Sequence, residues 1–175
     1  MLDFAKPSRP CLKNDSIVRV LKDSIALLDS QLKKNKVVVV LDMDDSLPEI
    51  VLDAHQIQQV FVNLLLNGME AMAEGGCISV TGRIEKDAGT DRDRLLLLFT
   101  DHGQGISRED LPQIFNPFFT TKADGTGLGL PIVHKILEQH NALVDVRSEE
   151  GQGTTFLLRF PMHRSEEKRC IDTRF

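Results

Sequence analysis

Nowhere in the 175 residues does an apolar run approach the ~20 residues that a membrane-spanning helix needs. The opening Met1-Leu2-Asp3-Phe4-Ala5-Lys6 also lacks the apolar centre of a signal peptide, so a cytoplasmic location is the expectation. Cysteine is scarce. Cys11, Cys77 and Cys170 are an odd number, far apart, with no CxxC and no Cys–His ligand spacing; free thiols are expected rather than a disulfide framework or a zinc site. An excess of positive charge is missing too: 21 Lys and Arg stand against 26 Asp and Glu, a formal net charge of −5. That balance excludes a general nucleic-acid binder, which needs a basic face for phosphates. It leaves room for a small anionic ligand whose phosphates are neutralised locally by backbone N–H groups and a divalent cation. No internal repeat or low-complexity tract is present, and a 41% hydrophobic content suits one good core.

The chain begins with a stretch ending Lys6-Pro7-Ser8-Arg9-Pro10, whose two prolines stop regular structure and read as a linker. Asn14, Asp15 and Ser16 offer N-caps to a helix whose apolar face is Val18, Leu21, Ile25, Leu28 and Leu32, closed by Lys33-Lys34-Asn35-Lys36. A β-branched run at 37–41 predicts a strand, as does 50–52. Asp53 then caps a second helix running to about Glu74, with Gly75-Gly76 as its stop. Strands are predicted at 78–84 and 95–99 around a polar loop, suggesting a hairpin, and at 143–148 and 154–160 around a turn. Residues 102–126 are irregular and rich in Gly, Pro and Phe, a length that inside a compact domain marks a functional or mobile loop. A third helix is read from Pro131 to His140, and the polar tail from Met162 is expected to fray.

Five constellations stand out. On the second helix Asn63 and Asn67 are four apart and share a face, with Glu70 one turn on. An amide carbonyl is a neutral oxygen ligand suited to Mg²⁺, although asparagines in such a row are also consistent with a plain solvent face. Asp101-His102-Gly103-Gln104-Gly105-Ile106 follows an apolar strand; its carboxylate can accept from an amino group, and its glycines allow close backbone approach. Gly125-Thr126-Gly127-Leu128-Gly129-Leu130 opens the third helix, where N–H groups and the dipole favour a phosphate. No Gly-Lys-Ser/Thr follows, so it is not a Walker loop. Between these turns, Phe115-Asn116-Pro117-Phe118-Phe119-Thr120-Thr121-Lys122 carries phenylalanines that suit core plugs and, in Lys122, a cation placed to contact phosphate. Gly151-Gln152-Gly153-Thr154-Thr155-Phe156 enters the last strand.

Taken in order, these segments resemble the asparagine, glycine and phenylalanine boxes of bacterial sensor histidine kinases. Those kinases share a superfamily with DNA gyrase, heat-shock chaperones and a mismatch-repair ATPase. The match covers roughly residues 14–161, and the wording around Asn63–Asn67 and Phe119-Thr120-Thr121-Lys122 looks closest to the nitrogen-regulator type. The resemblance implies an α/β (α+β) two-layer sandwich of the Bergerat ATP-binding type. Its mixed, mostly antiparallel sheet would carry helices on one face and a mobile lid over ATP. It implies Asn67 on Mg²⁺ and Asn63 beside the phosphates, with Glu70 and Ala71 nearby. Asp101 would bind the adenine amine, with Thr155 behind it through water, and Gly103, Gly105 and Ile106 would line the base. Gly125, Thr126, Gly127, Leu128, Gly129 and Leu130 would wrap the triphosphate, and Lys122 would reach the γ-phosphate; Asn63, Asn67 and Lys122 are the expected catalytic set. Gly68 stands where alanine is usual and His102 where Asn or Thr is commoner; Gly68 is expected to loosen the helix by up to ~1 kcal/mol.

The same resemblance points to an absent substrate. None of the five histidines, His55, His102, His134, His140 and His163, is followed by an acidic residue, as a phosphoacceptor histidine typically is. Leu2-Asp3-Phe4-Ala5-Lys6-Pro7 resembles the exit of the phosphoacceptor hairpin. The expected organisation is therefore residues 1–13 as the end of that hairpin and linker, 14–161 as the ATP-binding catalytic domain, and 162–175 as a polar tail. The implied partners are the phosphoacceptor and dimerisation domain of the same kinase and, downstream, a response-regulator receiver domain, with no nucleic acid and a fragment that is itself monomeric. Two rivals stay open: an ATPase or conformational clamp of the gyrase and chaperone kind, and an anti-sigma serine kinase. The former places a water-activating glutamate one turn before the Mg²⁺ asparagine, where this chain has Asn63, whose amide is no base near neutral pH.

Overall fold

The structure is a computed structural model that describes residues 9–86, 93–122 and 125–162. The elements run β1 (Lys13–Asp15), α1 (Ile17–Lys34), β2 (Val37–Met43), β3 (Ile50–Leu52), α2 (Ala54–Ala71), β4 (Gly76–Lys86), β5 (Asp93–Asp101), a 3-10 turn (Leu111–Gln113), α3 (Gly129–Gln139), β6 (Leu143–Glu149) and β7 (Gly153–Pro161). Five strands form one sheet in the order β2-β4-β5-β7-β6. Only the β2–β4 pair is parallel; the other three pairings are antiparallel. One face of the sheet contributes Ile78, Val80, Leu95, Leu97, Phe99, Phe156, Leu158 and Phe160 to the same core as Leu21, Phe61, Leu65 and Ile136 of the helices. The expected α/β sandwich, a mixed sheet with helices on one face, is what forms.

Helix α1 starts at Ser16, whose Oγ accepts the Arg19 N–H at 3.3 Å. The two residues before it, Asn14 and Asp15, belong instead to β1, which the residue pattern did not reveal. It pairs antiparallel with β3, Lys13 against Leu52, and three residues are too few for an alternation to show. Helix α2 ends at Ala71, short of the expected Glu74, because Met72 leaves the helical region at φ −115° and ψ 76°. The Gly76 N–H then donates to the Lys36 carbonyl at 3.1 Å, setting β4 beside β2. Gly68 is not simply a weak point of the helix: a Cβ there would lie 3.0 Å from Ile78 Cδ1 and 3.4 Å from Asp101 Cβ, so it lets α2 lie close on the sheet.

Residues 1–8, 87–92, 123–124 and 163–175 lie outside the described part. The expectations for the hairpin exit at Leu2–Pro7, the middle of the polar loop, the tail, His163 and Cys170 fall there wholly or in part. Cys11 is exposed and Cys77 half-buried, both as free thiols. Among the described residues no helix is long and apolar enough to cross a membrane.

A buried imidazole joins α2 to α3. His140, at the C-terminal end of α3, accepts the Asp53 N–H at Nε2, 3.0 Å away, and places Nδ1 2.7 Å from the Ile136 carbonyl. Both contacts are satisfied at once by a neutral ring with its proton on Nδ1. Asp53 caps α2 through the His55 and Gln56 N–H groups, and its other oxygen accepts the Cys11 N–H at 2.8 Å. Burial holds the His140 pKa below the usual 6.5. The unfolded chain therefore binds this proton more readily, and stability is complete above 6.5 and lost as pH falls through the folded-state value. Asp53, which burial alone would raise, is held low by the N–H groups of Cys11, Gln56 and His55, and acts only below 3.8. Urea denaturation should show wild-type stability declining on acidification below pH 6.5. His140→Ala should lack that slope and be less stable at pH 7.5 by about 1–3 kcal/mol, the cost of leaving buried partners unsatisfied.

Candidate functional site

Between α2, the end of β5, the start of β7, the start of α3 and the segments 104–122 and 125–127 lies a cavity of about 610 Å³, a size suited to a small ligand. One wall is the polar row of α2. Asn63, Leu66, Asn67 and Glu70 project into it at helical spacing, while Ile57, Phe61, Leu64 and Leu65 of the same helix are buried in the core. The facing wall is the start of α3, with Gly129, Leu130 and Pro131 on the cavity. No side chain caps this helix, and the first N–H groups of any helix lack intrahelical partners. A Cβ on Gly129 would stand 3.3 Å from Asn63 Oδ1, so glycine there lets the two walls approach. The helix begins two residues earlier than the sequence suggests, with Pro131 inside its first turn, where its missing N–H costs nothing.

The floor is Asp101, Thr154 and Phe156. Asp101 is only 6% exposed. Burial pushes its carboxyl above the usual 3.8, partly offset by the backbone N–H groups of Gly103 and Thr154 and by the nearby positive charges of His102 and Lys122. The Gly103 N–H donates to Asp101 Oδ1 at 2.9 Å. Over the cavity, Gly105 turns at φ +70°, where a Cβ would collide with the Glu149 carbonyl, and the Gly151 N–H ties back to the Gln104 carbonyl at 2.7 Å. Further along, Phe118, 56% exposed, donates its N–H to the Gly127 carbonyl at 2.9 Å. Lys122 closes the mouth: its Nζ pairs with Glu70 Oε2 and lies 3.4 Å from Asn67 Oδ1. The amide oxygen of Asn67 thus already faces a cation.

Of the residues singled out from sequence, Asn63, Asn67, Glu70, Ala71, Asp101, Gly105, Ile106, Lys122, Gly125, Thr126, Gly127, Gly129 and Leu130 all line this one cavity. Gly103 stands behind it, against Ala71, and Leu128 is the residue before α3, also off the lining. Thr155 is a correction. Asp101 pairs in register with Thr154 and Thr100 with Thr155, and alternate residues of a strand face opposite sides. Thr155 therefore lies on the outer face, its hydroxyl 3.0 Å from that of Thr100, and Thr154 takes the place beside Asp101. Sequence reasoning also missed Ile114 and Phe119, which line the cavity while Phe115 stacks on His134 with centroids 5.4 Å apart. No periodicity exists in such a segment to separate these phenylalanines. Thr154 was discoverable in principle, by carrying the alternation backwards from the buried Phe156 and Leu158.

Residues 52–164 match the family described as histidine kinase-, DNA gyrase B- and HSP90-like ATPases. The chain is 37% identical over 171 residues to Sporulation kinase E of Bacillus subtilis, covering 98% of this chain and 22% of the relative. It is 38% identical over 163 residues to Sensor histidine kinase ZraS of Escherichia coli K12, covering 93% and 34%. It thus spans between 22% and 34% of the length of these relatives. Among solved structures, the nucleotide-free catalytic domain of histidine kinase ThkA superposes with a TM-score of 0.70 at 28% identity, over 86% of this chain and 95% of that one.

The electrostatics of the floor can be checked by NMR titration of the Asp101 carboxyl carbon. Its midpoint should lie above 3.8, and Lys122→Met, by removing a positive charge, should move it further up. The stability tied to this raised group is complete below 3.8 and lost as pH rises through the folded value, so the ionised carboxylate is a net cost at pH 7. A midpoint at or below 3.8 would contradict the burial argument.

Proposed function

The chain belongs to the histidine kinase-, DNA gyrase B- and HSP90-like ATPase family, and from that premise we propose that it binds Mg-ATP and donates the γ-phosphate to a histidine of a phosphoacceptor hairpin. The observation that carries this reading is the asparagine row of α2 facing the uncapped start of α3 across one cavity, with Asn63 where a hydrolase of the family would carry a glutamate. In this reading Asp101 accepts a hydrogen bond from the exocyclic amine of adenine, with Thr154 beside it. The amides at Gly129 and Leu130 receive phosphate oxygens at the helix N-terminus. Asn67 supplies a neutral oxygen to Mg²⁺, and the fit is supported by the cation its Oδ1 already faces, the Lys122 ammonium. When bound, the ion neutralises charge on the phosphates. Lys122 moves from Glu70 and Asn67 to the γ-phosphate once a triphosphate fills the cavity.

The chemistry asks little else of the chain. A neutral imidazole attacks phosphorus with a lone pair, the bond from phosphorus to the bridging oxygen breaks, and ADP leaves; no proton must first be taken from the nucleophile. Positioning and charge neutralisation suffice. The ATPase rival needs a base one helical turn before Asn67, where this chain has Asn63, whose amide takes no proton near neutral pH; the one carboxylate of α2 on the cavity, Glu70, stands on the other side of Asn67. We further read residues 1–13 as the exit of the hairpin, 14–161 as the catalytic domain, the parent as a nitrogen-regulator type kinase acting on a receiver domain, and the site of action as the cytoplasm, where ATP is supplied.

Supplied with γ-labelled ATP and a matching hairpin domain, the chain should place acid-labile phosphate on the hairpin histidine. Rapid hydrolysis by the chain alone, with no label on the hairpin, would favour the ATPase. A non-hydrolysable ATP analogue with Mg²⁺ at about 100 times its Kd should stabilise the fold by about 2.7 kcal/mol, read as a rise in melting temperature, and Asp101→Asn should lose most of that rise.

A further inference from the structure

Ser148, one residue before the end of β6, stands behind the cavity floor and is not part of its lining. Its Oγ accepts the Ile106 N–H at 2.8 Å, donates to the Gly153 carbonyl at 2.8 Å, and lies 2.9 Å from Thr154 Oγ1. A serine hydroxyl has one proton and two lone pairs. The Gly153 carbonyl only accepts, so the proton goes there; the Ile106 N–H occupies one lone pair. The contact with Thr154 is then a bond only if Thr154 is the donor, giving its proton to the second lone pair of Ser148.

That count fixes what Thr154 offers the cavity. With its proton held behind the floor, Thr154 turns acceptor lone pairs toward the ligand, next to a carboxylate that also only accepts when ionised. The N–H groups of Gly103 and Thr154 beside that carboxylate are already engaged with it. The Asp101 end of the cavity is therefore furnished with acceptors. We propose that Ser148 is a positioning residue for base specificity: by holding the Thr154 proton, it makes the site take a base with an exocyclic amine and reject one with a carbonyl at the same position. The inference rests on the nucleotide reading above and deepens it, since the acceptor of the adenine amine is assigned there but the reason a carbonyl is refused is not.

ADP and IDP differ at that position, amine against carbonyl, and at the adjacent ring N1, which accepts in adenine and carries a proton in hypoxanthine. Their dissociation constants can be measured by calorimetry in Mg²⁺, and the change in their ratio between wild type and variant reads the Thr154 proton. The wild-type chain should bind ADP more tightly than IDP. Ser148→Ala frees the Thr154 hydroxyl to turn its proton into the cavity and should cut the ADP/IDP preference about tenfold, equivalent to one hydrogen-bond mismatch. Its affinity for inorganic tripolyphosphate should stay within about twofold, and Ser148→Thr, which restores the hydroxyl, should restore the preference. Should Ser148→Ala fail to fold, Ser148→Cys, of similar volume with only a weak thiol donor, carries the same expectation. A preference left intact in the variant, or ADP and IDP weakened equally, overturns the assignment while leaving the nucleotide reading standing. A wild-type chain that binds neither ADP nor ATP overturns both.

Discussion

Helix α2 is held on the sheet by everything it buries, and the cavity exists because that burial leaves only one side of the helix free. Ile57, Val60, Phe61 and Leu65 have no exposed surface, and the Phe61 ring meets Phe99 of β5 with centroids 5.4 Å apart. Removing such a ring costs about 3–5 kcal/mol, a large part of a domain's stability. A helix so held cannot roll. Asn63, Asn67 and Glu70 are consequently aimed at one place, and Gly68 brings that place close to Asp101.

The other walls are then set against this one by polar contacts. Asp53 caps α2, accepts the Cys11 N–H on its carboxylate and donates its own N–H to His140, so the chain entering the domain and the far end of α3 meet at the start of α2. The near end of α3 looks back at Asn63. Strand pairing puts Asp101 beside Thr154, and Ser148 ties that pair to the backbone at Ile106, where the covering segment begins. Lys122 bridges the remaining gap to Glu70. Chemistry that depends on positioning rather than on a base suits a site assembled in this way.

Much of this was legible in the amino acids. The apolar spacing of α1 and α2, the caps at Ser16 and Asp53, and the strand runs each carry their own local cause, and Asn63, Asn67, Asp101, Lys122 and the glycines from 125 to 129 do converge on one cavity. What was not legible depends on partners distant in sequence. β1 exists because Ile50–Leu52 lies opposite it. The close approach of α3 to α2 that Gly129 permits is set by Asn63, far away in sequence. The exchange of Thr155 for Thr154 follows from a register with β5 that neither threonine encodes, and the division of the phenylalanines into lining, stacking and exposed members follows from tertiary packing alone. The family comparisons support the ATPase fold and the kinase relationship; the residue-level roles are those the resemblance implies, and the geometry brings their residues to one cavity.

The central claim is that the asparagine row of α2 and the start of α3 together hold a metal-bound nucleotide. The most direct measurement is a crystal structure of the chain with a non-hydrolysable ATP analogue and Mn²⁺ in place of Mg²⁺, read by the anomalous scattering of the metal. The account predicts a peak about 2 Å from Asn67 Oδ1, near the short distance that such hard cations keep to oxygen, with the phosphates toward Gly129 and the base at Asp101. A metal peak away from α2, or a base seated anywhere other than beside Asp101 and Thr154, would contradict it.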